Sequence, residues 1–151
     1  MRSTVWTTID EVSNHEPVML PPQTVIRAVS EAMARHSIGA VLVGTPNRPL
    51  GIVSERDVVT ALARGADPDA TRAGEIMSYD LVALRPSDAV YDAAIDMLDL
   101  GIRHVAVLDE YGTAVGMVSV RDLLRPLVVG ALEHRSDERP GVSGVPGAGA
   151  R

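Results

Sequence analysis

Two short segments hold the residues best suited to chemistry. One reads GIVSERD and supplies Ser54, Arg56 and Asp57; the other reads GMVSVRD and supplies Ser119, Arg121 and Asp122. In each, an apolar run gives way at the serine to a helical pattern, so the serine stands at a helix N-terminus with the aspartate three residues in. That spacing is a capping box: the serine hydroxyl accepts from the backbone N–H three residues on, and the acid reaches back. Such a cap stabilises by about 1 kcal/mol and needs no ligand. The same segment also suits a phosphorylated nucleoside. Free N–H groups and the positive dipole end attract an anion, the leading glycine permits close backbone approach, and a short carboxylate can take both hydroxyls of a ribose. The two uses are compatible. Arg56 and Arg121 add positive charge there, or extend into solvent as exposed helical arginines commonly do.

Other reactive groupings are weaker. His15, His36, His104 and His134 are scattered without metal-ligand spacing, and His36 falls on the apolar side of a helical pattern, where a structural histidine is expected. Neither serine has a histidine partner suggesting a nucleophile, and the absence of cysteine removes disulfides, thiolate catalysis and Cys-ligated metals. Asp67, Asp69 and Glu75 cluster in a connector, where acids are usually solvated. We therefore expect no enzyme, no metal and no required cofactor.

The two segments belong to one duplicated unit. Gly51 and Gly116 are 65 positions apart, while upstream Glu11 pairs with Glu75, Val18 with Val82, Leu20 with Leu84, Pro22 with Pro86 and Met33 with Met97, each 64 apart. The slip falls in a turn-rich stretch, where one inserted residue costs little. A repeat of this period means that one unit cannot bury its apolar face alone.

Each copy reads strand, helix, strand, strand, helix. In the first, a strand at 18–20 ends at Pro21-Pro22, and Val25, Val29, Ala32, Met33 and His36 recur at helical spacing. Strands at 40–43 and 50–53 flank a turn, and a helix with Val58, Val59, Leu62 and Ala63 on one side runs to Gly65. The second copy has a strand at 81–84 and a helix capped by Ser87 or Asp88, with Val90, Ala93, Ala94, Met97 and Leu98 as its stripe, closed by Gly101. Two more strands and a final helix from Ser119 follow, which Pro126 should kink or restart. A short helical turn at 72–77 introduces this copy. The aliphatic core, without phenylalanine, fits an α/β (α+β) fold whose two halves pack through their sheets.

Composition excludes several classes. With 46% hydrophobic and 23% charged residues the chain is not disordered as a whole, although the Gly- and Pro-rich segment 133–151 is expected to be a disordered tail. A net charge of −6 opposes a polyphosphate backbone, so nucleic acid is an unlikely partner. No apolar run reaches membrane-spanning length and no secretory signal is recognised, so a cytoplasmic protein is expected.

The ordered repeat, each copy closing in Gly-apolar-x-Ser-x-Arg-Asp, resembles a tandem pair of cystathionine β-synthase (CBS) domains over roughly residues 8 to 132. IDEVS and AGEIM match the element ahead of each first strand, and GIRHVAVLDEYGTAVGMVSVRD is especially similar to the family pattern. The resemblance implies pseudo-symmetric repeats at 8–65 and 72–132. It implies a stand-alone regulatory module binding AMP, ADP, ATP or S-adenosylmethionine between the copies and signalling to a regulated protein or second subunit. In the family the aspartate holds the ribose, and cations just before the middle strand hold phosphate. The second copy has Arg103-His104 there and the first has Gly39-Ala40. The stronger site is accordingly expected at Ser119, Arg121, Asp122, Arg103 and His104, and a weaker one at Ser54, Arg56 and Asp57. Val18, Leu20, Val82 and Leu84 stand where the family lines the adenine pocket. Homodimerisation is also implied, with Val25 to Met33 and Val90 to Leu98 as candidate faces. The alternative is a ligand-independent interaction scaffold whose Ser-x-x-Asp segments serve only as caps.

Overall fold

The computed structural model describes residues 7–137. The first copy comprises α1 (Ile9–Val12), β1 (Met19–Leu20), α2 (Ile26–His36), β2 (Ala40–Thr45), β3 (Arg48–Ser54) and α3 (Glu55–Ala63). The second repeats the order as α4 (Ala73–Ile76), β4 (Ala83–Leu84), α5 (Val90–Leu100), β5 (His104–Leu108), β6 (Ala114–Ser119) and α6 (Val120–Asp137). Equivalent stops close the first long helices: Gly101 is left-handed at φ 65°, and Ser37, 64 positions earlier, adopts the same turn at φ 52°.

Each copy forms a three-stranded sheet, ordered β1-β2-β3 and β4-β5-β6, with the first pair parallel and the second antiparallel. Successive residues of the middle strands point to opposite faces. Val41 and Val43 of β2 join Ile26, Val29, Met33 and Val58 beneath the helices of copy one. Val105 and Val107 of β5 do the same with Val90, Ala93, Met97 and Leu123 in copy two. Between the sheets lies a third cluster, in which Ala40 and Leu42 meet Ala106, Ala114 and Met117. The repeats thus pack through their sheets, and small residues bring the backbones close.

The leading segments cross over. Ile9, fully buried, sits in the core of copy two, while Ala73, equally buried, sits in the core of copy one with Ile76 and Met77 against it. Hydrogen bonds follow the same reciprocity. Ile9 N–H donates to the Asp88 carbonyl and Ala73 N–H to that of Thr24; Asp10 donates to Pro86 and Gly74 to Pro22. Asn14 exchanges both backbone bonds with Met117 on β6 at 2.9 Å, and Ser78 does so with Ile52 on β3. Each sequence copy lends its first helical turn to the other.

This crossing accounts for the motif glycines. A Cβ on Gly51 would lie 2.5 Å from the Ser78 carbonyl oxygen, and one on Gly116 would lie 3.0 Å from that of Asn14. The close approach anticipated for a ligand is made instead by the crossing backbone.

Several expectations change. Of the two expected outcomes Pro126 does not restart α6, which runs from Val120 through Asp137 into the segment expected to be tail; the rest of that segment lies outside the described residues. The N-cap of α5 is Ala89, because the Asp88 carboxylate is turned back to accept from Arg85 N–H at 2.8 Å. His36 is exposed beyond the buried stripe of α2, and Val59 and Leu62 of α3 are exposed also. The connector acids are engaged locally: Asp69 takes a forked pair from Arg27, Asp67 accepts from Asp69 N–H, and Glu75 from Arg72 N–H.

Because a Cβ at residue 51 meets backbone more closely than one at 116, Gly51→Ala should destabilise more than Gly116→Ala. Overpacking of this kind costs roughly 1–3 kcal/mol. Urea unfolding of both variants checks the order, and equal or negligible losses would contradict the crossing geometry.

Candidate functional site

Both Ser-x-x-Asp segments form complete capping boxes with the same geometry. Ser54 N–H donates to Asp57 Oδ2 at 2.7 Å, Ser54 Oγ–H to the same oxygen at 2.9 Å, and Asp57 N–H to Ser54 Oγ at 3.3 Å. Ser119 and Asp122 repeat all three distances. In each box Oδ2 carries the cap, and Oδ1 accepts no hydrogen bond among the described residues. A cap therefore leaves one carboxylate oxygen for a hydroxyl, as well as the remaining free N–H groups of the helix N-terminus.

The packing of sheet on sheet brings the two helix starts to one cleft of about 940 Å³. Copy two contributes Arg103 and His104 at the start of β5, Met117 and Ser119 on β6, and Val120, Arg121 and Asp122 on α6. Copy one contributes Ser30, Met33 and Ser37 around α2, Gly39 and Ala40 entering β2, and Glu55, Val58 and Val59 on α3. Asn14 of the crossing segment completes the wall. All five residues expected at the stronger site share this cleft. Ser54, Arg56 and Asp57 do not line it, although they stand on the same helix start as Glu55.

The adenine-pocket residues lie elsewhere. Leu84 is buried in the core of copy two, Val18 and Leu20 pack against the core of copy one, and Val82 is exposed. None of the four lines this cleft. The cleft's apolar surface comes from Met33, Met117, Val58 and Val59, and its extra polar groups from Asn14, Ser30, Ser37 and Glu55. Sequence held no signal for these, because they converge only through the crossing and the sheet contact.

His104 is half-buried where the repeats meet. Its Cε1 and Nε2 would each lie 3.0 Å from a Cβ on Gly39, and Glu55 Oε1 would lie 2.9 Å from the same point. The glycine opposite is what admits the imidazole. Burial lowers the His104 pKa below the ordinary value; Glu55 and Asp122 pull it back up, and Arg103 opposes them. No cluster of three or more His, Cys, Asp or Glu among the described residues could hold a metal ion.

Two pseudo-symmetric α/β repeats, with reciprocally exchanged leading turns and a cleft between two helix starts, define a paired-repeat module. The CBS domain model matches residues 9–64 and 73–129, and the chain belongs to the CBS domain family. Among its relatives, an uncharacterised protein of Methanopyrus kandleri is 30% identical over 83% of this chain and 66% of its own. The Bacillus subtilis CBS domain-containing protein YhcV is 30% identical over 76% of this chain and 80% of its own. A CBS domain protein of Pyrobaculum aerophilum, solved in complex with AMP, is 32% identical with a TM-score of 0.75, covering 83% of this chain and 99% of that one. The CBS domain pair of protein MJ0100, solved with 5'-methylthioadenosine and S-adenosyl-L-methionine, shares the fold at 24% identity and TM-score 0.74, covering 83% of this chain and 98% of that one.

A histidine held neutral by burial sets a pH dependence. Above about pH 6.5 both folded and unfolded states carry neutral imidazole; below it the unfolded chain protonates first, so stability falls as pH falls toward the lowered folded pKa. The loss between pH 7 and 5 should be smaller in His104→Gln than in the wild type, as read by thermal unfolding across that range. Parallel curves would refute it.

Proposed function

We propose that this chain is a regulatory module that binds an adenosine-containing ligand, such as AMP, ADP or ATP, in the cleft between its repeats and signals to a partner protein or second subunit. The observation that carries the reading is the convergence of Arg103, His104 and the capped Asp122 in one inter-repeat cleft of about 940 Å³. That volume lies within the range of small-molecule sites. Asp122 Oδ1 is the acceptor for ribose hydroxyls, the α6 N-terminus and Arg103 face phosphate, and Met33, Met117 and Val58 cover the base. AMP in the Pyrobaculum structure and adenosine compounds with protein MJ0100 support the ligand class. The CBS match over both repeats supports a regulatory rather than a catalytic reading. No helix among the described residues is long and apolar enough to cross a membrane.

Ligand at about a hundred times its dissociation constant adds roughly 2.7 kcal/mol of stability, readily seen as a thermal shift. AMP, ADP, ATP and S-adenosylmethionine should include at least one such ligand, with the shift lost in Asp122→Ala and largely kept in Asp57→Ala. A shift lost only in Asp57→Ala would reverse the ranking of the sites, and no shift from any ligand would favour the interaction scaffold.

A second copy of this chain is the proposed partner for the helical face of the second repeat. Most of the candidate stripes is core: Ile26, Val29 and Met33, like Val90, Ala93 and Met97, are buried, and Leu98 at the end of the second is exposed. The adjacent stripe is exposed. Tyr91, Ile95 and Leu98 of α5 lie open beside Leu124 and Val128 of α6, with Leu98 71% accessible. Charge makes the face self-complementary, since exposed α5 bears Asp92, Asp96 and Asp99 whereas exposed α6 bears Arg121 and Arg125. Under two-fold symmetry each acidic helix faces the other copy's basic one. Light scattering should report a dimer that Leu98→Asp converts to monomer; a wild type monomeric at all concentrations would overturn this.

A further inference from the structure

The copies differ where their walls face each other across the cleft. Gly39, Ala40 and Glu55 of copy one stand at the positions of Arg103, His104 and Val120 in copy two, and all six line the same cleft. Backbone bonds confirm the correspondence: Glu55 N–H donates to the Gly39 carbonyl and Val120 N–H to that of Arg103, each at 2.9 Å. One wall therefore carries Arg103 and Arg121 beside the capped Asp122, and the wall facing it carries a further carboxylate, Glu55. Glu55 Oε1 and His104 Nε2 approach the same point beside Gly39 at 2.9 and 3.0 Å, so the carboxylate stands where phosphate attracted by Arg103 and His104 must pass.

We infer that Glu55 makes this cleft select an adenosine ligand with a short anionic tail, such as a nucleoside monophosphate, over a polyphosphate. The inference rests on the nucleotide reading above. Two guanidinium groups, Arg103 and Arg121, line the cleft beside Asp122, and together they leave net positive charge for no more than one phosphate. Each further phosphoryl group adds negative charge without adding a cation, and a ligand anchored at Asp122 extends its tail from the arginine-bearing wall toward Glu55. The imidazole between them is held toward neutrality by burial and does not cancel the carboxylate. One like charge about 6 Å away, at an effective dielectric of about 40, weakens binding roughly tenfold. As a first-turn acid Glu55 also favours the α3 dipole, but that effect changes stability and is indifferent to tail length.

Calorimetric titration of adenosine, AMP and ATP into the full chain separates these roles. The wild type should prefer AMP to ATP by about tenfold or more, Glu55→Gln should narrow that ratio roughly tenfold mainly by gaining ATP affinity, and adenosine should change less than about twofold. Glu55→Lys should narrow it further or invert it. Wild-type binding of AMP with the ratio unmoved in both variants, or a wild-type preference for ATP, overturns the inference and leaves the nucleotide reading intact. A wild type that binds none of the three overturns both.

Discussion

The exchange of leading segments is the constraint on which the rest of the molecule depends. A three-stranded sheet with one strand of two residues leaves much of its outer strand edge open, and an exposed edge invites further pairing. Here Asn14 takes both bonds offered by Met117 on β6, and Ser78 takes those of Ile52 on β3. The same segments fill each core from the other side, with Ile9 buried beside Val90 and Leu123, and Ala73 beside Ile26 and Val58. Full burial of an isoleucine stabilises by about 1.5–3 kcal/mol, and for copy two the Ile9 contribution disappears without its neighbour. Neither sequence copy is a structural unit. The pair is.

The cleft follows from this arrangement. Sheet packing through Ala40, Leu42, Ala106 and Met117 sets the starts of β2 and β5 side by side, and the strands lead directly into the capped helices α3 and α6. The capping boxes fix each aspartate by three hydrogen bonds before any ligand arrives. A carboxylate already ordered loses little conformational freedom on accepting a ribose, which is the advantage of preorganisation.

The repeat, its element order and both helix starts were legible in the sequence because they depend on local pattern: a β-rich apolar run at Ala40–Val43, helical spacing at Val90–Met97, and Ser-x-x-Asp at two matching positions. What could not be read depends on tertiary placement. The roles of Gly51 and Gly116 were assigned to a ligand because nothing in sequence shows the segments at Ser78 and Asn14 crossing over them. Pro126 within a continuous helix likewise reflects context, since α6 packs against α5 and β6 and this tertiary support outweighs one missing backbone bond. Leu84 is buried in one core and Val18 and Leu20 pack partly against the other, a difference that their shared alternation does not reveal. Periodicity identifies a buried face without saying what buries it.

Divergence between the copies is itself a product of the shared cleft. Had both retained Arg-His before the middle strand, two imidazoles would compete for the space beside residue 39, where a single added Cβ would lie 3.0 Å from the His104 ring. Gly39 is thus the complement of His104, and Ala40, buried at the sheet contact, lets β2 approach the other sheet. The charge pattern follows the same logic. With Arg103 and Arg121 already on one wall, a third cation at residue 55 would concentrate like charge at the junction, whereas Glu55 offsets it. A two-fold relation between backbones can therefore persist only if side chains at its centre break it, and the broken positions are the ones that give the cleft its chemistry.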